Sequence, residues 1–297
     1  MKYFWNFDEH DNSVNKITTA LANSNPWPFI DKSIILCKNI DINKWHLHLN
    51  YPDSSKYELL RHFDALLNYK DPNTGELSHS NSTTTWYNLA PVESPVNATA
   101  TIMDWRDTYF RMTKNTSTSK PVNLGVLKHG TFTWEFVITI YNHSDYSNSN
   151  RTPDIVSNQE GAGYRLTMYN RTDTTYSFGS SQHHNRSWVT KTFTTKNLNW
   201  GQKYHIVYEY TNSTHNGTLY VNGVYIDSLN FSSSNITQSN ALTSISSNPS
   251  TSTVETSSFN TIIANYFVIR YYTRLLTEAE IINNYNYEKR RYNIPEG

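Results

Sequence analysis

The sequence predicts an all-β protein, a two-sheet sandwich closed by a short C-terminal helix and preceded by an N-terminal extension. Three observations predict it. The chain of 297 residues is rich in Thr and Tyr, which suit half-buried pleated surfaces, and in the turn formers Asn and Ser, with only 10 Gly. Runs of strand length recur between turn signals along most of the chain. A full set of helix-start signals stands near the end, just after a strand pattern.

That final stretch organises the rest. Phe267, Ile269 and Tyr271 alternate with Val268, Arg270 and Tyr272, which predicts a strand with one buried face. Thr277 is an N-cap type and Glu280 follows three residues on, the pattern of a capping box. Leu276 and Ile281 hold the positions of a hydrophobic staple. Lys289-Arg290-Arg291 falls near the helix C-terminus, where the dipole favours positive charge. The stretch is a closing element, made to dock on a sheet built earlier.

These residues also carry a resemblance. Tyr272, Arg274, Leu276, Thr277, Glu280, Ile281, Asn284 and Tyr285 resemble the C-terminal signature of laminin-G-like, concanavalin-A-like jelly rolls, the lectin-glucanase superfamily. Upstream, Tyr204-His205-Ile206-Val207-Tyr208-Glu209-Tyr210, a polar turn Thr211 to Asn216, and Gly217 to Ile226 are similar to that family's paired hairpins. Trp86-Tyr87-Asn88-Leu89 is a weaker match near the family's start, with Ala90-Pro91 where Ser-Gly would stand. The resemblance covers about Tyr57 to Ile294 and implies a concanavalin-A-like jelly-roll β-sandwich over residues 55–297. Such domains occur in bacteriophage virion proteins and bacterial surface proteins, so it also implies a tail or head fibre or decoration component.

Residues 1–54 form the extension. Ile17 to Ala22 reads as a short helix, broken by Pro26-Trp27-Pro28. Ser33 to Ile40 and the alternation Trp45, Leu47, Leu49, Tyr51 read as two strands, which either join the sandwich or form an arm that docks on a neighbour. Tyr57 to Tyr69 has helical spacing, whereas the resemblance implies a first strand there; Asp71-Pro72-Asn73-Thr74-Gly75 is a turn. Trp105, Tyr109 and Phe110 are candidate core residues within an irregular stretch. Phe132 to Tyr141 is the clearest strand, and a polar loop follows from His143 to Thr152. Gly163 to Tyr169 and Tyr176 to Phe178 form the next hairpin, then Ser187 to Thr194. Phe231 to Ser258, rich in Ser, Thr and Asn, is expected to hold few core residues, as an extended surface loop or a flexible one.

Bulk properties remove several function classes. Lys+Arg and Asp+Glu are equal at 25 each, which leaves no general electrostatic case for nucleic acid or an anionic membrane. The single cysteine, Cys37, excludes an internal disulfide framework and sits among Ile34, Ile35 and Leu36, as an inert buried thiol would. The N-terminus lacks an apolar core of signal-peptide length and no segment is suited to membrane insertion, so synthesis in a host cytoplasm and a place on a virion are expected.

Laminarinase-like hydrolysis needs carboxylates on alternate strand residues, but Glu9-His10-Asp11 stops at two and the strong strands carry isolated acids, Glu135 and Glu209. Glu278 and Glu280 are two apart on the helix and point to different faces. The expectation is therefore no catalytic residues and no enzyme. His46 and His48 share a strand face and His183-His184 are adjacent, but no zinc spacing completes them; exposed histidines are the expectation, with no metal site. Calcium stays open through Asp145, Asp154 and Asp173, expected in loops; no other cofactor is expected. Sugar binding needs aromatic platforms beside amides and hydroxyls, for which Tyr146, Tyr176, Trp188 and Trp200 are the candidates among 22 Tyr and 8 Trp. The expected partners are other virion proteins, in an oligomer or assembly, and host surface glycans. A cell-surface adhesin or a glycoside hydrolase are the competing readings.

Overall fold

Long apolar alternations become the middle of a sheet, and short polar ones its margins. The computed structural model describes residues 58–90, 92, 94–113, 121–127, 130–144, 153–159, 162–194, 196–231, 234–246, 249 and 261–296. The expected extension, with His46, His48 and Cys37, and the loop residues Asp145 and Tyr146 lie outside the described residues.

In chain order the strands are β1 (Leu59–Asp64), β2 (Tyr69–Lys70), β3 (Leu77–Ser78), β4 (Thr85–Trp86), β5 (Ala98–Thr99) and β6 (Asp104–Arg106). Next come β7 (Tyr109–Met112), β8 (Val122–Asn123), β9 (Phe132–Ile140), β10 (Asp154–Ser157), β11 (Tyr164–Tyr169) and β12 (Thr175–His184). Then follow β13 (Ser187–Thr192), β14 (Leu198–Asn199), β15 (Lys203–Thr211), β16 (Asn216–Val221), β17 (Val224–Asn230), β18 (Ser244–Ile245) and β19 (Ala264–Tyr272). Helix α1 (Glu278–Tyr292) closes the fold. The first sheet has eight strands in the order β17-β16-β15-β9-β19-β7-β6, with β1 also on β19. The second has nine, β13-β12-β11-β10-β18-β8-β5-β4, with β14 on β12. Their pairings are antiparallel, and the two inner faces enclose one aromatic-rich core.

Strand β9 shows why. Phe132, Trp134, Phe136, Ile138 and Ile140 enter that core, and Tyr204, Ile206, Tyr208 and Tyr210 of β15 do the same. The alternate residues Thr133, Glu135, Val137 and Thr139 are buried as well, because α1 lies across the outer face of this sheet. Asn222 and Gly223 turn β16 into β17 with φ of 51° and 77°, the positive pair that a two-residue hairpin requires. A side chain at Gly223 would stand 3.0 Å from Tyr285 of the helix.

The closing element forms as its residues predict, with corrections. Thr277 caps α1 and the Glu280 carboxylate returns the bond, completing the capping box. Strand β19 is buried on both faces rather than one, since core and helix sandwich it. A bulge between Tyr266 and Val268 shifts the alternation, so Phe267 joins Val268 on the helix side and packs 5.2 Å from the Tyr292 ring. Arg291 is not a solvated dipole partner: its side chain is wholly buried between Asp64 (2.6 Å) and Glu288 (3.0 Å).

Two further expectations are corrected. Helical spacing at 57–69 gives way to β1, which pairs with the end of β19 and finishes in a single 3-10 turn capped by the Asp64 carboxylate. Backbone pairing with a long strand outweighs the local pattern, and the resemblance had implied this strand. The stretch after Phe231 contributes to the core: Phe231, Ile236, Ala241 and Ile245 are buried. Its β18 sits inside the second sheet between β10 and β8, and just beyond it the buried Ser246 Oγ accepts from Ile262 N at 2.7 Å. Trp105 and Phe110 fill the core, whereas Tyr109 packs outside against Phe267.

Candidate functional site

The acids of the first sheet are the first candidates to resolve. Glu135 is not isolated. Its Oε1 accepts from Arg270 Nη1 and faces His205 Nε2, both at 2.8 Å, and its Oε2 accepts from Asn284 Nδ2 (3.0 Å) and Tyr272 OH (3.1 Å). Burial pushes this carboxyl up, but Arg270, His205 and Tyr272 outweigh burial and hold it down at about 2. Arg270 also binds Glu288, and Arg291 links Glu288 to Asp64, whose Oδ1 accepts from Tyr292 OH at 2.8 Å. Glu209 accepts from Leu276 N (2.7 Å) and Thr133 Oγ1 (3.0 Å), and burial raises its pKa. These carboxylates face the helix that covers them. They act as a clamp.

The histidine expectation is corrected too. His184 points inward, its Nδ1 at 2.7 Å from Ser234 O and its Nε2 at 3.0 Å from Gln182 Oε1, and burial lowers its pKa. Gln182 then donates to Tyr208 OH (2.7 Å), which donates to Ser180 (3.0 Å), a polar chain crossing the core between the sheets. Nothing local in the sequence announces that chain, beyond a ten-residue strand that is polar on both faces. His183 is also largely buried, on the opposite face of β12.

Asp154 is the first residue of β10 and fully buried, not a loop ligand. Burial drives its pKa up to about 7, offset only in part by Arg165, 3.8 Å away, and the Thr167 hydroxyl. Asp173 lies in an exposed turn whose carbonyl accepts from Asn142 Nδ2. Among the described residues, no group of three or more His, Cys, Asp or Glu is placed to hold a metal ion.

The aromatic candidates separate by strand alternation. Tyr176 points into the core with Phe178 and is 0% exposed, so it offers no platform. Trp200 packs on it, ring centroids 4.5 Å apart, and donates Nε1–H to Thr172 O at 2.9 Å. The pair is a stack at one end of β12, with Tyr176 buried and Trp200 half-buried over it. Trp188 differs: it stands on β13, at the edge of the second sheet, and is 39% exposed. Its cross-strand partner is His183, whose ring meets the indole edge to face at 5.1 Å. The next pair along the same outer face is Ser181 and Thr190, with hydroxyl oxygens 2.9 Å apart, and then Gly179 and Thr192. Across β11, Arg165 lies opposite Ser181 and Thr167 opposite Gly179. The arrangement joins an open indole to hydroxyls and an imidazole on one rigid sheet edge.

Glycine at 179 is what lets Tyr169 lie across this face. A Cβ there would come within 2.3 Å of the Tyr169 ring and 2.8 Å of Lys191 O. Gly179→Ala is expected to cost about 1–3 kcal/mol, because neither a stacked ring nor a backbone carbonyl yields cheaply. Denaturant midpoints read this directly, and an unchanged midpoint would contradict the packing.

No family model matches the chain, and no curated protein matches it in sequence. Solved structures do match. The binding domain of Paraclostridial Mosquitocidal Protein 1 superposes with a TM-score of 0.50 at 15% identity, covering 78% of this chain and 52% of that one. The receptor binding domain of botulinum neurotoxin D gives 0.50 at 12%, covering 79% and 54%. That of the mosaic serotype C/D gives 0.50 at 13%, covering 78% and 51%. This chain spans about half the length of the solved domains it matches. At such identities the likeness establishes fold alone: a β-sandwich.

Proposed function

We propose that this chain is a non-enzymatic binding module whose β12–β13 flank contacts surface glycans. The exposed indole of Trp188 beside His183 and the Ser181–Thr190 hydroxyl pair carries the proposal, since saccharides are held by an aromatic platform with flanking polar groups. The solved domains that share the fold are a binding domain and receptor binding domains, which supports a binding role. Hydrolysis would need two carboxylates ~5–9 Å apart facing a cleft. Glu135 and Glu209 are committed to the helix interface instead, which supports a module without catalysis. We place it on a virion, as a tail or head fibre or decoration component made in the host cytoplasm, with residues 1–54 as its attachment arm. Display on a cell as an adhesin is the second reading, and the same flank would serve it.

An array of immobilised neutral and acidic oligosaccharides, probed with the full-length protein, tests the proposal. Trp188→Ala is expected to lower binding at least tenfold on every saccharide retained, as loss of a stacking platform should, while leaving the denaturant midpoint within about 0.5 kcal/mol. Chelator added to the same array reports on calcium. Binding untouched by Trp188→Ala, or none to any saccharide, overturns the reading.

A further inference from the structure

We propose that His183 is the hydrogen-bond donor of a saccharide subsite, presenting Nε2–H to an acceptor oxygen of a neutral pyranose stacked on Trp188. The inference deepens the glycan-binding reading and rests on it. Its support is the state of the imidazole. The His183 backbone is pinned on both sides, its N–H donating to Gly163 O (2.9 Å) and its carbonyl accepting from Thr237 N (2.7 Å). The side chain therefore has a fixed origin on β12, and the Trp188 ring at 5.1 Å and 65° limits its rotation.

The residue is only 9% exposed, and Nδ1 is sealed from solvent with no hydrogen-bond partner. Two tautomers are open to a neutral imidazole. One would bury an N–H with nothing to accept it, an arrangement that folded proteins rarely contain; the other buries a bare lone pair, which is better tolerated. The proton is therefore assigned to Nε2. A donor of known position thus stands at the rim of an exposed indole.

The neighbours specify the ligand class. A pyranose lays its apolar C–H face on an indole and leaves ring oxygens and hydroxyls at the margin, where a single N–H donor and the Ser181–Thr190 hydroxyls can meet them. On this face Arg165 lies 3.8 Å from the Asp154 carboxylate, which takes up part of its charge, and the hydroxyls and imidazole beside the indole are neutral-sugar partners. Lys191 belongs to the opposite face of β13 by alternation.

The test uses the full-length protein with lactose, cellotriose and chitotriose as probes, titrated by calorimetry or saturation-transfer NMR. His183→Phe keeps a ring of similar shape against Trp188 and removes the donor; binding is expected to weaken about 3- to 10-fold, the value of one hydrogen bond. His183→Gln restores an N–H donor and is expected to recover most of it. Long-range proton–nitrogen spectra of the unsubstituted protein give an independent reading, in which His183 should show the Nε2–H tautomer and an Nε2 shift that moves on adding saccharide. Unchanged affinity in His183→Phe while Trp188→Ala loses binding overturns the inference and leaves the glycan reading standing. A protonated Nδ1 does the same. Failure of all three neutral probes overturns this inference alone, whereas no binding to any saccharide of the array, or indifference to Trp188→Ala, removes the glycan reading and this inference with it.

Discussion

Arg270→Leu is expected to destabilise the protein by about 3–5 kcal/mol, the largest single-site loss the fold predicts. Arg270 is 3% exposed and bridges two fully buried carboxylates, Glu135 on β9 and Glu288 on α1. Leucine fills much of the space but leaves both acids without their shared cation. The cost is that of an uncompensated buried charge, not the net value of the ion pairs, which can be small. Urea unfolding at pH 7 measures it. A pH series adds a second signature. The folded pKa of Glu135, about 2, lies below its ordinary 4.5, so its stabilisation is complete above 4.5 and is lost as pH falls towards 2. Arg270→Leu should flatten that acid limb. A midpoint within about 0.5 kcal/mol of the parent would mean that water or rearrangement replaces the cation, and the clamp would be discounted.

Asp154→Asn is expected to act in the other direction. The Asp154 carboxyl has its pKa raised by burial from 3.8 to about 7, so the folded state binds the proton more tightly than the unfolded one. The stability it contributes is present below 3.8 and lost as pH rises to about 7, at roughly 1.4 kcal/mol per unit across the window. Asparagine removes the titration. The variant should match the parent near pH 4 and exceed it by a few kcal/mol at pH 8, reduced by whatever Arg165 loses. Equal pH slopes in the two proteins would show that Arg165 already neutralises the site.

The fold was legible wherever its cause is local. The alternation in Phe132–Ile140, the turn before Gly217 and the Thr277–Glu280 box each need only neighbouring residues, and each forms. What escaped depends on distant partners. Glu135 reads as a lone acid because Arg270, His205 and Asn284 stand 135, 70 and 149 residues away. Ser244–Ile245 reads as loop because its hydroxyl-rich segment becomes a strand only when β10 and β8 flank it. The same limit governed the aromatic candidates. Residue type does not separate Tyr176 from Trp188: alternation along β12 sends the first into the core, and pairing with His183 puts the second on the outer face. The bulge at Phe267 has no local signal either, although it decides which rings meet the helix.

The position of β19 bears on how the domain is made. This strand hydrogen-bonds to β9 along its length, to β7 at its start and to β1 at its end, yet it leaves the ribosome after all three of them. Until Ala264–Tyr272 emerges, those three earlier strands lack their common neighbour and present open backbone edges. The Tyr292–Asp64 contact, 228 residues apart, closes later still. Topologies of such long sequence separation fold slowly and expose strand edges while they do. Shielding of the half-built first sheet, by chaperones or by rapid completion of translation, is therefore expected to raise the yield of native protein.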